Sequence, residues 1–129
     1  MARIPKLELG DMPIQEINQA LTELAPLIAG PVVMSAGAQI HASTRHPRDY
    51  ARCLPHIGTV VSTPDFIGND IRNPGKIELI KRVPTANVRI LVAVKITKDR
   101  NNEYNVLSFY PVNERKIINR IRRGFLYPV

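Results

Sequence analysis

The 129-residue chain has a single cysteine, no tryptophan and only three histidines. Because Cys53 is alone, neither an internal disulfide framework nor a cysteine-based zinc site is expected. No apolar run approaches the roughly 18 residues that a membrane span needs, and nothing resembles a signal peptide. The sequence also lacks the GxxxxGK(S/T) loop of nucleotide-triphosphate sites, the GxSxG elbow of serine hydrolases and the HExxH helix of zinc metalloproteases. These absences favour chemistry that needs no cofactor.

The whole chain has a formal net charge of +7 and an isoelectric point near 10. The positive charge is concentrated in its later part. Residues 1–31 hold two basic and four acidic residues, a net charge of −2, whereas residues 32–129 hold sixteen basic and seven acidic ones, a net charge of +9. We expect a nucleic acid as the partner of this basic body, ahead of an acidic protein and a membrane surface. A merely solvated basic face is the remaining alternative.

The chain is long enough for one modest core, and we divide it into two parts. Residues 1–31 are predicted to be an irregular arm, up to residue 10, and an amphipathic helix that serves as a linker or packs on the body. The helix is indicated by apolar residues at three- and four-residue steps, with Asp11 as its N-cap: Ile14, Ile17, Leu21, Leu24 and Ile28. Residues 32–129 form the basic domain.

Patterns in the basic domain predict an α+β fold. "PVVMSAG" indicates a short strand and a glycine turn, and a helix from Pro47 is expected to break near Pro55. "STPDFIGND" is typical of a turn. "KIELIKRV", "VRILVAVKI" and "YNVLSFYPV" predict antiparallel strands. "NERKIINRIRR" predicts a basic helix that Gly124 ends. We therefore expect N-terminal helices packed on a small antiparallel sheet, followed by a C-terminal basic helix.

Candidate catalytic residues cluster in "QIHASTRHPRDY", which holds His41, Arg45 and His46. Metal-free RNA cleavage needs a base for the 2′-hydroxyl, an acid for the 5′-oxygen and donors for the charged phosphorane. Histidine, with an ordinary pKa near ~6.5, suits the first two tasks, and cations or hydroxyls suit the third. Strands supply Lys81, Ser108 and Tyr110, of which the last two share a strand face. These histidines and strand residues are the predicted catalytic set.

Each candidate also has an ordinary structural explanation. His46 can simply cap the helix before Pro47, and His41 can be a polar loop residue. His56, in an apolar helical pattern, is predicted to be structural. Asp49 is a first-turn helix residue or orients a histidine. A metal site is not expected, because metal nucleases generally have more histidines and carboxylates close together.

Predicted phosphate ligands come from both the histidine segment and the basic body. The basic helix is either a solvated face or a surface that contacts RNA phosphates. The residues assigned to phosphate or RNA binding are Arg45, Arg82, Lys95, Arg120 and Arg122.

The order of "IHASTRHPRDY", "STPDFIG", "IELIKRV", "ILVAVKI" and "VLSFYPV" resembles a prophage-associated branch of the barnase–EndoU–colicin–RelE-like nuclease toxins. The resemblance spans about residues 32–123 and leaves the first thirty outside. It implies helices on a small antiparallel sheet that holds a metal-independent ribonuclease site. By this resemblance His41 and His46 match the histidine segment, Lys81 the strand lysine, and Ser108 and Tyr110 the late polar pair.

The resemblance also implies a biological role and partners. Cleavage would give a 2′,3′-cyclic phosphate, often in tRNA, and serve phage or contact-dependent bacterial competition in the cytoplasm of a target cell. An unpaired loop would stack its bases on Tyr110 or Phe109. The expected partners are RNA and a cognate acidic immunity protein, with no membrane, and the free chain is expected to be a monomer. The alternatives are a non-catalytic nucleic-acid-binding module of a phage-associated protein and, less favoured, a DNA-cleaving or base-modifying enzyme.

Overall fold

A computed structural model describes residues 4–69 and 72–129. Its seven strands are β1 Leu7–Asp11, β2 Pro31–Met34, β3 Phe66–Asn69, β4 Lys76–Val83, β5 Val88–Lys95, β6 Tyr104–Pro111 and β7 Leu126–Pro128. Its α-helices are α1 Ile14–Ala20, α2 Ala36–Arg45, α3 Pro47–Cys53, α4 Ile57–Ser62 and α5 Glu114–Arg122. The predicted mixed α+β class is confirmed.

The sheet is larger than the small antiparallel sheet that the sequence predicts. All seven strands join in the order β1-β2-β6-β5-β4-β3-β7. Neighbours are antiparallel except β2 and β6, which pair in parallel through Val32–Tyr104 and Val33–Asn105. The three predicted strands β4, β5 and β6 are adjacent, with β5 between the other two. The sheet is thus mixed rather than purely antiparallel.

Apolar side chains cover both faces of the sheet. One face packs against α1, α3 and α4 and carries alternate residues of the central strands, among them Ile77, Leu79, Ile90 and Val92. The other face packs under α5 through a smaller cluster: Phe66, Ile80, Leu91, Ala93, Val112, Ile117 and Leu126. Because strand side chains alternate between faces, each central strand supplies both clusters. The sheet therefore lies between two helical layers.

The N-terminal segment differs from its prediction. Residues 7–11 form β1 rather than an irregular arm, and the helix runs only over Ile14–Ala20. Leu27 and Ile28 lie in a loop after it. The Asn18 side chain bonds both backbone groups of Leu27, at 2.8 and 3.0 Å, and the Tyr104 hydroxyl donates to the Ile28 carbonyl at 2.6 Å. These bonds hold an extended loop where apolar spacing alone predicts more helix, and the division at residue 31 stays a prediction.

The segment after β2 is a helix, not the predicted glycine turn. The Ser35 hydroxyl accepts a hydrogen bond from the Ala38 backbone N–H at 3.1 Å and so caps α2. Buried Gln39 anchors the helix by donating to the carbonyls of Pro5 and Met34. Gly37 lies within the first turn of this helix. His41 is therefore a helical residue rather than a loop residue.

Two further segments test the helix and turn predictions. The predicted break near Pro55 is confirmed, since α3 and α4 are separated by a 3-10 turn at Leu54–His56. "STPDFIGND" was expected to be a turn, but its residues Phe66–Asn69 form β3. This strand pairs on one side with β4 and on the other with β7. Its partners, rather than its own pattern, make it a strand.

Helix α5 has a well-defined start and end. The Asn113 side chain accepts from the Lys116 backbone N–H at 2.8 Å. At the other end Gly124 has a φ of +75°, and the N–H groups of Gly124 and Phe125 donate to the carbonyls of Ile121 and Arg120. This is a Schellman ending, as expected for glycine at this position. It turns the chain directly into β7.

Candidate active site

A pocket of about 410 Å³ lies where the α2–α3 junction meets the end of β6. Four of the five predicted catalytic residues line it, namely His41, His46, Ser108 and Tyr110, together with the predicted phosphate ligand Arg45. We call it the histidine pocket. Its other lining residues are Ala42, Asp49, Tyr50, Leu107, Phe109 and Pro111.

Helix geometry places the histidine-segment residues on one side. His41 and Arg45 are one turn apart on α2 and therefore project from the same face. His46 ends α2 and precedes α3 with a φ of −141° and a ψ of 70°, and Pro47 begins the next helix. The His46 side chain makes no capping hydrogen bond to α3. Its position is thus that of a cap, but its imidazole faces the pocket.

The open edge of β6 forms the opposite wall. Strand β2 pairs with β6 only through Tyr104 and Asn105, so the later residues of β6 have a strand neighbour on the β5 side alone. Ser108 and Tyr110 lie opposite Ala93 and Leu91 and share a face, as the alternation predicts. A register shift near Ala93 leaves half-exposed Leu107 as an additional residue. This irregularity is located at the pocket wall.

Two titratable rings in the pocket are open to solvent. His41, Arg45 and His46 are all exposed. Within residues 4–69 and 72–129, neither imidazole forms a side-chain hydrogen bond or an ion pair. The Tyr110 ring, by contrast, contacts the Lys116 ammonium, whose nitrogen is 5.2 Å from the ring centroid. The histidines are therefore available to a ligand.

The aromatic residues of the pocket have different environments. Phe109 is 6% exposed and its ring stacks on that of Tyr50, with centroids 5.3 Å apart. It is packed beneath the pocket and has no exposed face for a base, so only Tyr110 of the two predicted stacking residues is half-buried and accessible. Tyr50 and Asp49 also line the pocket. The sequence pattern assigned Asp49 a role in the first helical turn or in orienting a histidine, and assigned Tyr50 no role in the site. Their position three and four residues after His46 is the sequence feature that could have indicated a place in the pocket.

Lys81 is not brought to the histidine pocket. Its ammonium donates to the Thr63 carbonyl at 2.7 Å and lies 3.6 Å from a carboxylate oxygen of Asp65. Along the sheet it is opposite Ile90, which is opposite Pro111, so two strand spacings separate it from β6. It shares the face of Leu79, on which α3 also packs, so the two strand spacings rather than the face separate it from the pocket. The observed contacts of Lys81 are structural, and its catalytic assignment stays a prediction.

The predicted phosphate ligands are dispersed. Arg82 forms an ion pair with Glu114, and Arg120 forms one with buried Glu78. Lys95 is exposed opposite Lys76, the first residue of β4. Arg122 is exposed on α5. Of the five, only Arg45 lines the histidine pocket. The third histidine, His56, is half-buried and also lies outside it.

The described ranges contain neither a candidate metal cluster nor a candidate membrane span. Residues 4–69 and 72–129 contain no group of three or more histidine, cysteine, aspartate or glutamate side chains arranged to hold a metal ion. Among the helices in these ranges, none has the length and apolar character required to cross a bilayer.

The comparisons with known proteins identify the class of this chain as nuclease. Residues 10–119 match the model of a family described as phage-Barnase-EndoU-ColicinE5/D-RelE like nuclease3, and the chain belongs to that family. The resemblance stated from the sequence is confirmed. The match begins at residue 10, so it includes α1, which that resemblance left outside. No curated protein and no solved structure matches the chain.

Proposed function

We propose that the protein is a metal-independent endoribonuclease toxin whose catalytic centre is the histidine pocket. The observation that carries this proposal is the meeting of His41 and His46 with Ser108 and Tyr110 in one pocket. Membership in a nuclease family supports cleavage of a nucleic acid. Two acid–base side chains that line one pocket with hydroxyl groups favour attack by an internal 2′-hydroxyl, which RNA has and DNA lacks.

In the proposed reaction, one imidazole accepts the proton of the 2′-hydroxyl as its oxygen bonds to phosphorus. The other, protonated at the start, donates its proton to the 5′-oxygen as the bond from phosphorus to that oxygen breaks. The products are a 2′,3′-cyclic phosphate and a 5′-hydroxyl end, with no net change in protons. Neutral and charged imidazole are both populated near neutral pH, so one residue type can serve both steps.

The charged phosphorane requires positive charge and hydrogen-bond donors fixed before the reaction begins. Arg45 and the hydroxyls of Ser108 and Tyr110 are the pocket groups that meet this need. The backbone holds them, because Arg45 is on α2 and the hydroxyls are on β6. Asp49, half-buried at the start of α3, lines the same pocket, and its proposed role is to orient an imidazole when RNA is bound.

The proposed substrate is tRNA, whose single-stranded loops expose bases that can stack on Tyr110. The positive surface supplies affinity for phosphates and favours an acidic immunity protein as the neutralising partner. The proposed setting is phage or contact-dependent bacterial competition, with action in the cytoplasm of the target cell. The free chain is proposed to be a monomer.

The experiment is cleavage of total tRNA by the purified chain in excess EDTA, with a matched DNA oligonucleotide as the second substrate. We expect tRNA fragments that end in a cyclic phosphate, intact DNA, and no fragments with His46→Ala. Strict dependence on added metal, or full activity of His46→Ala, contradicts the proposed mechanism. RNA binding without cleavage would identify the non-catalytic module instead.

A further inference from the structure

A second and larger depression lies on the α5 side of the sheet. It has a volume of about 750 Å³ and is lined by residues of α5, by Asn69, Arg72 and Asn73, and by Phe125. We call it the arginine groove. Five described cations line it: Arg72, Arg115, Lys116, Arg120 and Arg123.

Cations outnumber acidic residues among the described residues that line the groove. Glu78 is the single acidic residue among the described lining residues. It is 3% exposed and its carboxylate is bound by Arg120. Exposed Arg115 and Arg123 have no ion pair within residues 4–69 and 72–129. The groove therefore presents uncompensated charge to a ligand.

One face of α5 is directed at the groove. Lys116, Asn119, Arg120 and Arg123 recur at three- and four-residue steps and all line it, whereas the intervening Arg122 does not. The buried carboxylate of Glu78 fixes the Arg120 guanidinium against the sheet. This guanidinium can therefore contact a phosphate with little loss of side-chain freedom.

The polar and aromatic lining is suited to nucleotides. Asn69, Asn73, Asn113 and Asn119 contribute amides, which both donate and accept hydrogen bonds. Half-buried Phe125 offers a ring in the same groove. Cations that follow a backbone, combined with an aromatic platform, are the usual elements of single-strand binding.

The groove adjoins the histidine pocket through one contact. Lys116 lines the groove, and its ammonium lies over the ring of Tyr110, which lines the pocket. An RNA strand whose reacting phosphate lies in the pocket can therefore continue past Tyr110 along α5. Neighbouring nucleotides would meet Lys116, Arg120 and Arg123 in turn.

We infer that the arginine groove binds the single-stranded RNA segment that flanks the cleaved bond. This inference rests on the proposed function, which it extends by naming a surface that sets affinity for longer substrates. The groove supplies binding to phosphates and bases, while the pocket supplies the acid–base groups. On one side of the cleaved bond, the substrate must then be single-stranded over the stretch that lies along α5.

The test measures binding separately from cleavage. A fluorescein-labelled 12-nucleotide RNA with 2′-O-methyl groups throughout cannot react, so fluorescence anisotropy reports affinity alone. Wild-type protein is compared with Arg123→Glu in the groove and Arg100→Glu in the loop before β6. Both variants make the same change in net charge, and Arg100→Glu is the matched control.

We expect Arg123→Glu to weaken binding by about ten-fold and Arg100→Glu by at most about three-fold. The slope of log affinity against log salt should fall by about 0.7 for Arg123→Glu, the value for one lost contact to single-stranded nucleic acid. An equal or larger loss of binding with Arg100→Glu overturns the inference. Failure of wild-type protein to cleave the unmodified RNA would refute the proposed ribonuclease activity without changing the binding result.

Discussion

The histidine pocket and the arginine groove hold their polar groups in opposite ways. In the pocket, His41 and His46 are exposed and are positioned by the backbone of α2 and α3. In the groove, Arg120 is held by the buried carboxylate of Glu78. The pocket therefore leaves its titratable groups free to exchange protons, whereas the groove uses an ion pair to fix a charge.

This difference separates function from stability. Substitution of an exposed residue without partners should change activity with little effect on folding. Loss of one member of a buried ion pair should unfold the protein more readily. The following predictions test that separation from the largest expected effect to the smallest.

Removal of either pocket histidine should nearly abolish cleavage. His41→Ala and His46→Ala each remove an acid–base group, so we expect losses of about 10²–10⁴-fold in the single-turnover rate. The double variant should lose little more, because the two groups act in one reaction. His56→Ala is the control and should retain activity. Additive losses in the double variant would show that the two imidazoles do not act together.

Separation of the Arg120–Glu78 pair should mainly reduce stability. Arg120→Met leaves a carboxylate that is 3% exposed without its partner, at a cost of about 3–5 kcal/mol. Glu78→Gln should cost less, because the Arg120 side chain is 23% exposed and can reach water. Urea denaturation measures both variants, with His46→Ala as the reference. Comparable stability of Arg120→Met and His46→Ala would contradict the comparison.

Lys81 separates the sequence prediction from the observed geometry. The sequence predicts that Lys81→Ala abolishes cleavage, whereas its bond to the Thr63 carbonyl indicates a structural role. We expect Lys81→Ala to lower the free energy of unfolding by about 1–2 kcal/mol and to retain cleavage per folded molecule. Cleavage activity corrected for the folded fraction distinguishes a catalytic from a structural role of Lys81. Complete inactivity of the folded variant would support the catalytic role.

Glu114 should give a small effect that depends on pH. The Arg82 guanidinium, and then that of Arg89, lowers the pKa of Glu114 below its ordinary value. A lowered folded-state pKa contributes stability above the unfolded pKa, and this is lost as pH falls through the folded value. Glu114→Gln should thus lower the free energy of unfolding near neutral pH by less than about 1 kcal/mol. The variant should also lose less stability than the wild type when the pH falls from neutral to acidic. Urea midpoints at several pH values measure it, and an unchanged pH dependence would argue against the pair.

Cys53 provides a check that these variants remain folded. It is fully buried on α3, the helix that also carries Asp49 and Tyr50, and burial raises the pKa of its thiol to about 11. The thiol should therefore resist thiol-specific reagents until α3 detaches. Slow reaction in His46→Ala would show that the loss of cleavage is not a loss of structure.

The central strands could be predicted from the sequence because their local pattern agrees with their final environment. Alternation in "KIELIKRV" and β-branched residues in "VRILVAVKI" specify β4 and β5 without reference to other segments. By contrast, β1 and β3 are short and become strands through their pairing with β2, β4 and β7. Helix α2 was missed because Gly37 suggests a turn, whereas Ser35 and Gln39 stabilise a helix.

The candidate site was predictable in part for the same reason. Strand alternation predicts that Ser108 and Tyr110 share a face, whereas the proximity of His41 and Arg45 depends on helix α2, which the sequence pattern did not predict. Alternation also shows that Lys81 shares the face of Leu79, but it does not give the number of strands between Lys81 and β6. That separation depends on strand order, which is a property of the whole sheet. The arginine groove depends likewise on how α5 packs.

The Schellman ending at Gly124 has a consequence for the order in which the molecule is completed during synthesis. Every residue of the histidine pocket has been made once the chain reaches Pro111, whereas the groove also needs α5 and Phe125. Strand β7, which joins the sheet beside β3, follows directly after that glycine turn. A nascent chain therefore acquires its proton-transfer groups before the surface that would retain a long RNA.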